Sequence, residues 1–135
     1  MVDLGAGLLG WGDSAVAAAV ETVANSDLVV FGSPTFKATY TGLLKLFLDQ
    51  FSTSDGLQDV TAIPLMLGAG PPAHFMAPDL LLKPVLVELG ATVPAAGLYV
   101  VDKLYDDAEA FQPGSIAGGS VVLASANVTV SAGDR

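Results

Sequence analysis

Three short, largely apolar runs at 28–31, 60–67 and 96–102 alternate with stretches of helical period, and this alternation limits the fold more than any other feature. A run apolar at successive positions suits a strand covered on both faces. Such strands, separated by helices, predict a parallel sheet with helices packed on it. The first helix is expected over 13–25, with Asp13 as its cap and Val16, Ala19, Val20 and Val23 at helical spacing. The most regular segment is 39–51, where Tyr40, Leu43, Leu44, Phe47, Leu48 and Phe51 form one stripe of a 3.6-residue period. Lys45 and Asp49, on the opposite side, stand at i,i+4 and are placed to pair. A polar loop follows over 52–59. Beyond the second run, a mixed helical stretch extends to Leu89, with Gly90 as its terminating residue. Pro84 lies inside it, lacks an N–H and crowds the carbonyl of Leu80, so a kink or two short helices is expected.

A chain of 135 residues that is 52% apolar and 14% charged has the size of one domain and enough apolar side chain for a core, which excludes intrinsic disorder. Lys plus Arg number 5 against 14 Asp plus Glu, a net charge of −9. That balance speaks against a nucleic-acid partner, since phosphate backbones demand clustered cations. The absence of cysteine excludes disulfides, thiolate metal sites and a cysteine nucleophile, and the single histidine, His74, excludes a His-rich metal site. No run of about 18 apolar residues is present, so no membrane-spanning helix is expected. Asp3 stands where a signal peptide would carry positive charge. These features fit a cytoplasmic protein. Composition then divides the chain. Residues 1–112 form the α/β domain, and 113–135 form a Gly/Ala/Ser/Val-rich tail without charge until Asp134. The tail's two extended-looking clusters within 119–130 suit pairing with an exposed sheet edge of the same chain or a neighbour, and a floppy tail accounts for them equally well.

In an open α/β sheet, ligands bind at the carboxyl ends of the strands. Two strand-end loops stand out. In the first, Pro34 fixes one torsion and pushes Ser33 into an extended shape, with Thr35, Phe36 and Lys37 following. Backbone N–H donors, the flat face of Phe36 and the charge of Lys37 suit a planar, electron-poor ring with carbonyl acceptors. An ordinary strand-to-helix turn with a solvated lysine accounts for the same residues. In the second loop, Gly68, Ala69 and Gly70 permit close approach to the backbone, although glycine-rich turns after strands are common. His74 reads as a helix-start histidine bonded to backbone rather than a ligand or base. Ser33, His74 and Asp79 occur in an order compatible with a hydrolase triad. Pro34 directly after Ser33, and the lack of a Gly-x-Ser-x-Gly elbow, weigh against it.

The segment Ser33-Pro-Thr-Phe-Lys-Ala-Thr-Tyr-Thr-Gly-Leu-Leu-Lys-Leu-Phe-Leu-Asp49 resembles the loop and helix of the NADPH-dependent FMN reductases, flavodoxin-like flavin reductases of the alkanesulfonate-utilisation type. Pro71-Pro-Ala-His-Phe-Met-Ala-Pro-Asp-Leu-Leu-Leu-Lys-Pro-Val-Leu86 is similar to the segment after their next strand, and the likeness runs from about Ser26 to Asp102. The resemblance implies a flavodoxin-like three-layer α/β/α fold with a parallel sheet. It also implies FMN as cofactor, NADPH as co-substrate, hydride transfer from nicotinamide to flavin, and a homodimer or homotetramer. The residues it assigns to the cofactor are Ser33, Pro34, Thr35, Phe36, Lys37, Gly68, Ala69 and Gly70; it assigns no catalytic side chain and no metal. Phe36 and Leu80 stand where relatives carry Tyr. The family's first strand, its phosphate-holding loop and its first helix have no counterpart here, and Met1-Val2-Asp3-Leu4 resembles the end of the second strand. The fold is therefore expected to be shortened at its N-terminus, with strand 28–31 at an open edge and the flavin phosphate weakly attracted. The alternative reading is a catalytically inactive truncated flavodoxin-like domain serving as an association or scaffold module.

Overall fold

The computed structural model describes residues 4–69 and 72–102. A 3₁₀ turn, Gly5–Leu9, leads into α1, Ser14–Ala24. Asp13 stays extended, and its carboxylate accepts the N–H groups of Ala15 at 2.9 Å and Val16 at 3.0 Å. A cap of this kind contributes about 1 kcal/mol by satisfying donors that have no partner in the first turn. The order then runs β1 (Leu28–Pro34), α2 (Gly42–Leu48), β2 (Thr61–Gly68), a 3₁₀ turn (Pro72–Met76), a π-helical turn (Pro78–Leu82), α3 (Lys83–Glu88) and β3 (Leu98–Val101). No strand precedes α1 among the described residues.

The three strands form a parallel sheet in the order β1-β2-β3. Leu28 lies opposite Thr61 and Pro34 opposite Leu67, while Leu65 lies opposite Leu98 and Gly68 opposite Val101. Strand alternation sorts the side chains. Phe31, Ala62 and Met66 share one face and join the core with Val16, Ala19 and Val23 of α1, Leu44, Phe47 and Leu48 of α2, and Leu86 of α3. Phe47 meets Phe51 edge-on at 5.3 Å between centroids. On the other face of β1, Leu28 is 57% and Val30 44% exposed. The expectation that the run 28–31 is covered on both faces is therefore corrected: among the described residues β1 is an edge strand, covered on one face only. A purely apolar run carries no alternation, so it cannot reveal which face lies open. The strand also reaches further than expected, to Pro34. Thr35 N–H donates to the Leu67 carbonyl at 2.7 Å, so the alternate residue Pro34 turns its nitrogen to the unpaired side, where a missing N–H breaks no ladder bond.

Two helical expectations change in detail. Helix α2 starts at Gly42 rather than 39, because residues 36–39 close a turn first and Thr41 then caps the helix, its hydroxyl accepting from Leu44 N–H at 3.2 Å. The apolar stripe outruns the helix because half-buried Tyr40 packs against the core from outside it, as does Phe51 beyond its last turn. Lys45 and Asp49 form the expected ion pair. The stretch ending at Leu89 divides as Pro84 requires. Lys83 N–H bonds to the carbonyl of Pro78, five residues back, before α3 resumes ordinary spacing. Gly90 terminates α3 with φ +95°, and a Cβ there would stand 2.5 Å from the Ser54 carbonyl oxygen. Strand β3 is shorter than the run 96–102, because Gly97 N–H is drawn to the Asp79 carboxylate at 2.9 Å. The proposed boundary at 112, the tail 113–135 and its clusters within 119–130 lie outside the described residues.

Candidate functional site

All three strands run the same way, so their carboxyl ends meet at one edge, and the register sets the end of β1 beside the end of β2. The loops around Thr35 and Ala69 therefore share a single end of the sheet. Ser33, 1% exposed, anchors the first loop. Its hydroxyl accepts the Thr41 N–H at 3.0 Å and donates to the Pro34 carbonyl at 2.8 Å, stitching the tip of β1 to the start of α2. That hydroxyl serves the backbone and has no histidine among its partners, which removes the support for a Ser33–His74–Asp79 triad. Asp79 instead holds Gly97 and lies 3.8 Å from the Lys83 ammonium.

Beyond Pro34 the chain reverses tightly. Phe36 N–H donates to the Thr39 carbonyl at 2.9 Å and Thr39 N–H returns a bond to Phe36 at 3.2 Å. Lys37 (φ 54°) and Ala38 (φ 66°) both occupy the left-handed region between them. Two consecutive left-handed residues are the signature of a type I′ reversal, usually supplied by Asn and Gly. Here Lys and Ala adopt it at a cost of about 1–2 kcal/mol each. The turn leaves Phe36 64% exposed, with Lys37 exposed beside it. Lys45 is engaged by Asp49, whose hydrogen bond holds its ammonium above the ordinary lysine pKa, and Lys83 donates to the Ala95 carbonyl at 3.1 Å. Among the described residues Lys37 is the lysine without a carboxylate partner.

Gly68 ends β2, and Ala69, exposed, follows it. A Cβ at position 68 would stand 2.8 Å from the Tyr99 hydroxyl oxygen and 3.2 Å from Thr35 Cβ. The missing side chain is what lets β1 and β3 close on β2 at this tip. Thr35 Oγ1 and Tyr99 OH are both buried there without a hydrogen-bond partner. The Tyr99 ring meets Phe75 at 4.9 Å. His74 sits half-buried in the adjoining 3₁₀ turn, and Gly70 lies outside the described residues. Tyr99 escaped the sequence reading. Its only signal is a hydroxyl-bearing aromatic in an otherwise aliphatic strand, and the pairing of β3 with β2 gives it meaning.

These parts gather at one end of the sheet. An exposed aromatic face, a cation without a carboxylate partner, a backbone without a side chain at Gly68 and two unpartnered buried hydroxyls are the kinds of group that a planar heterocycle with polar edges calls for. No group of three His, Asp or Glu side chains stands ready for a metal among the described residues. A parallel sheet with two loops meeting at its strand tips is an α/β arrangement of the doubly wound kind, in which ligands bind at those tips.

The comparisons with known proteins narrow that class. The family profile of the NADPH-dependent FMN reductases matches residues 10–106. The FMN reductase (NADPH) of Pseudomonas putida is 32% identical over 96 residues, covering 71% of this chain and 48% of the relative. The FMN reductase (NADPH) of Escherichia coli K12 is 37% identical over 82 residues, covering 61% of this chain and 42% of the relative. The apo crystal structure of an NADH:FMN oxidoreductase superposes with a TM-score of 0.68 at 33% identity, covering 78% of this chain and 56% of that one. The chain belongs to the NADPH-dependent FMN reductase family and carries its flavodoxin-like α/β fold. It spans about half the length of the curated relatives it matches.

Proposed function

We propose that the chain binds FMN at the tips of β1 and β2 and acts as an NAD(P)H:FMN reductase. The observation that carries this reading is the convergence of Thr35, Gly68 and Tyr99 at one point, beside exposed Phe36 and Lys37. Flavin, when bound, would supply the redox chemistry as acceptor of a hydride from the nicotinamide, while the protein supplies orientation and electrostatics. The chain's own residues need no acid, base or nucleophile for this. Ser33 ties the loop to α2, Pro34 and the 36–39 turn stiffen it, Phe36 offers a wall, and the charge of Lys37 favours the anionic reduced form of the ring. Gly68 lets the ring approach the backbone, with exposed Ala69 next to it.

The finer parts of the reading follow. Leu43 and Leu46 of α2, with Leu80, Leu81 and Val87 after β2, are exposed, and they support assembly as a homodimer or homotetramer through these helices. A chain without cysteine that uses a nicotinamide substrate belongs in the cytoplasm. The test is titration of the pure protein with FMN, followed by quenching of flavin fluorescence, and then by NADPH oxidation at 340 nm. Saturable quenching with flavin-dependent NADPH consumption is the expected result. Saturable quenching without consumption would instead favour the association-module reading, and no quenching would remove the flavin site.

A further inference from the structure

Among the described residues, two buried side-chain polar atoms lack a hydrogen-bond partner, and both lie at the same place. Thr35 Oγ1 and Tyr99 OH come from segments 64 positions apart in sequence, yet they stand 3.5 and 2.8 Å from the point a Cβ of residue 68 would occupy. The other buried side-chain polar atoms among the described residues have partners, as the ordinary rule requires, so two exceptions at one site need an explanation. Each residue is half-buried while its oxygen is fully buried. Exposed chain begins one residue further on, at Phe36 after Thr35 and at Ala69 after Gly68. The Phe75 ring, 4.9 Å from that of Tyr99, limits where the phenol can swing.

We infer that the hydroxyls of Thr35 and Tyr99 act together as a polar clamp for one edge of the flavin ring. The inference rests on the flavin reading above and deepens it by naming the contacts that orient the ring. A hydroxyl donates or accepts, so the pair matches an edge that carries carbonyl oxygens and ring nitrogens, and it disfavours an edge of methyl groups. Gly68 is the third part of the clamp, because any side chain there would collide with both partners. The rival explanation is that the two hydroxyls bond to each other after a small rotation and serve the fold alone. The two accounts differ in what deleting a hydroxyl does to the free protein. Removing an unsatisfied hydroxyl leaves stability unchanged or raises it, whereas removing half of a made bond lowers it.

The experiment compares the parent with Tyr99→Phe, Thr35→Val and the double variant, all close to isosteric. It measures urea midpoints of the flavin-free proteins and Kd for FMN by fluorescence quenching. The expected result is a midpoint equal to or above that of the parent, with FMN binding weakened about fivefold or more by each single change. Parent-like FMN binding in both variants would overturn the clamp while leaving the flavin site in place. Lowered midpoints with unchanged affinity would overturn it in favour of the structural pair. A parent that binds no FMN would overturn the flavin reading itself, and the clamp with it.

Discussion

Ala38 is the residue where this chain departs furthest from what its local conformation asks. It holds φ 66° directly after Lys37 at 54°, in a reversal that favours Gly at its second position. Ala38→Gly should therefore raise stability by about 0.5–1 kcal/mol, the relief of a left-handed Ala set against the added freedom of glycine in the unfolded chain. A urea melt of the variant, read against the parent, checks this. A lower midpoint would mean that the turn is not left-handed in solution. At this scale the candidate site was partly legible. Pro34, Phe36 and Lys37 declare themselves by type and by following a buried run, and the structure puts them at the shared strand tips. Ser33 draws notice by its place before Pro34, and only the fold shows that its hydroxyl binds the Thr41 N–H. Tyr99 is not legible, because its meeting with Gly68 depends on a strand pairing across some thirty residues.

The elements were read well wherever one segment carries its own signal. Asp13 and the spacing of Val16, Ala19 and Val23 describe α1 almost residue by residue, because a cap and a stripe are local properties. Boundaries that depend on neighbours were misplaced. The stripe of Tyr40 and Phe51 extends beyond α2 because the core, not the helix, selects apolar residues there. The end of α3 supplies a second test. Gly90 combines φ +95° with a Cβ position 2.5 Å from the Ser54 carbonyl, so Gly90→Ala should cost about 2 kcal/mol or more in an equilibrium melt. Pairs on a helix surface matter less. Lys45→Gln should cost no more than about 0.5 kcal/mol, screening included. Because Asp49 raises the Lys45 pKa, that difference is fully present below the ordinary lysine pKa. It should vanish as pH rises through the raised value, which melts across the alkaline range would show.

At the scale of the whole molecule, an acidic chain of net charge −9 has a single lysine without a carboxylate partner, Lys37, at its shared strand tips among the described residues. A dianionic phosphate gains little from such surroundings. Riboflavin should therefore bind within about threefold of FMN, where a dedicated set of phosphate contacts would separate them tenfold or more. Parallel titrations of the two flavins decide this, and a large preference for FMN would place a phosphate grip outside the described residues. The parallel order of the sheet was legible from the alternation of runs and its open edge from the family resemblance, whereas the open face on that flank was not, because Leu28 and Val30 look like any buried pair within an apolar run. That flank sets how the protein keeps in a tube. Like charges hold copies apart while the greasy border of β1 would glue them together, and salt shortens the reach of the repulsion to about 10 Å at 0.1 M. Clarity in dilute buffer should give way to clumping as sodium chloride rises, and Val30→Lys should move that threshold upward in a light-scattering series.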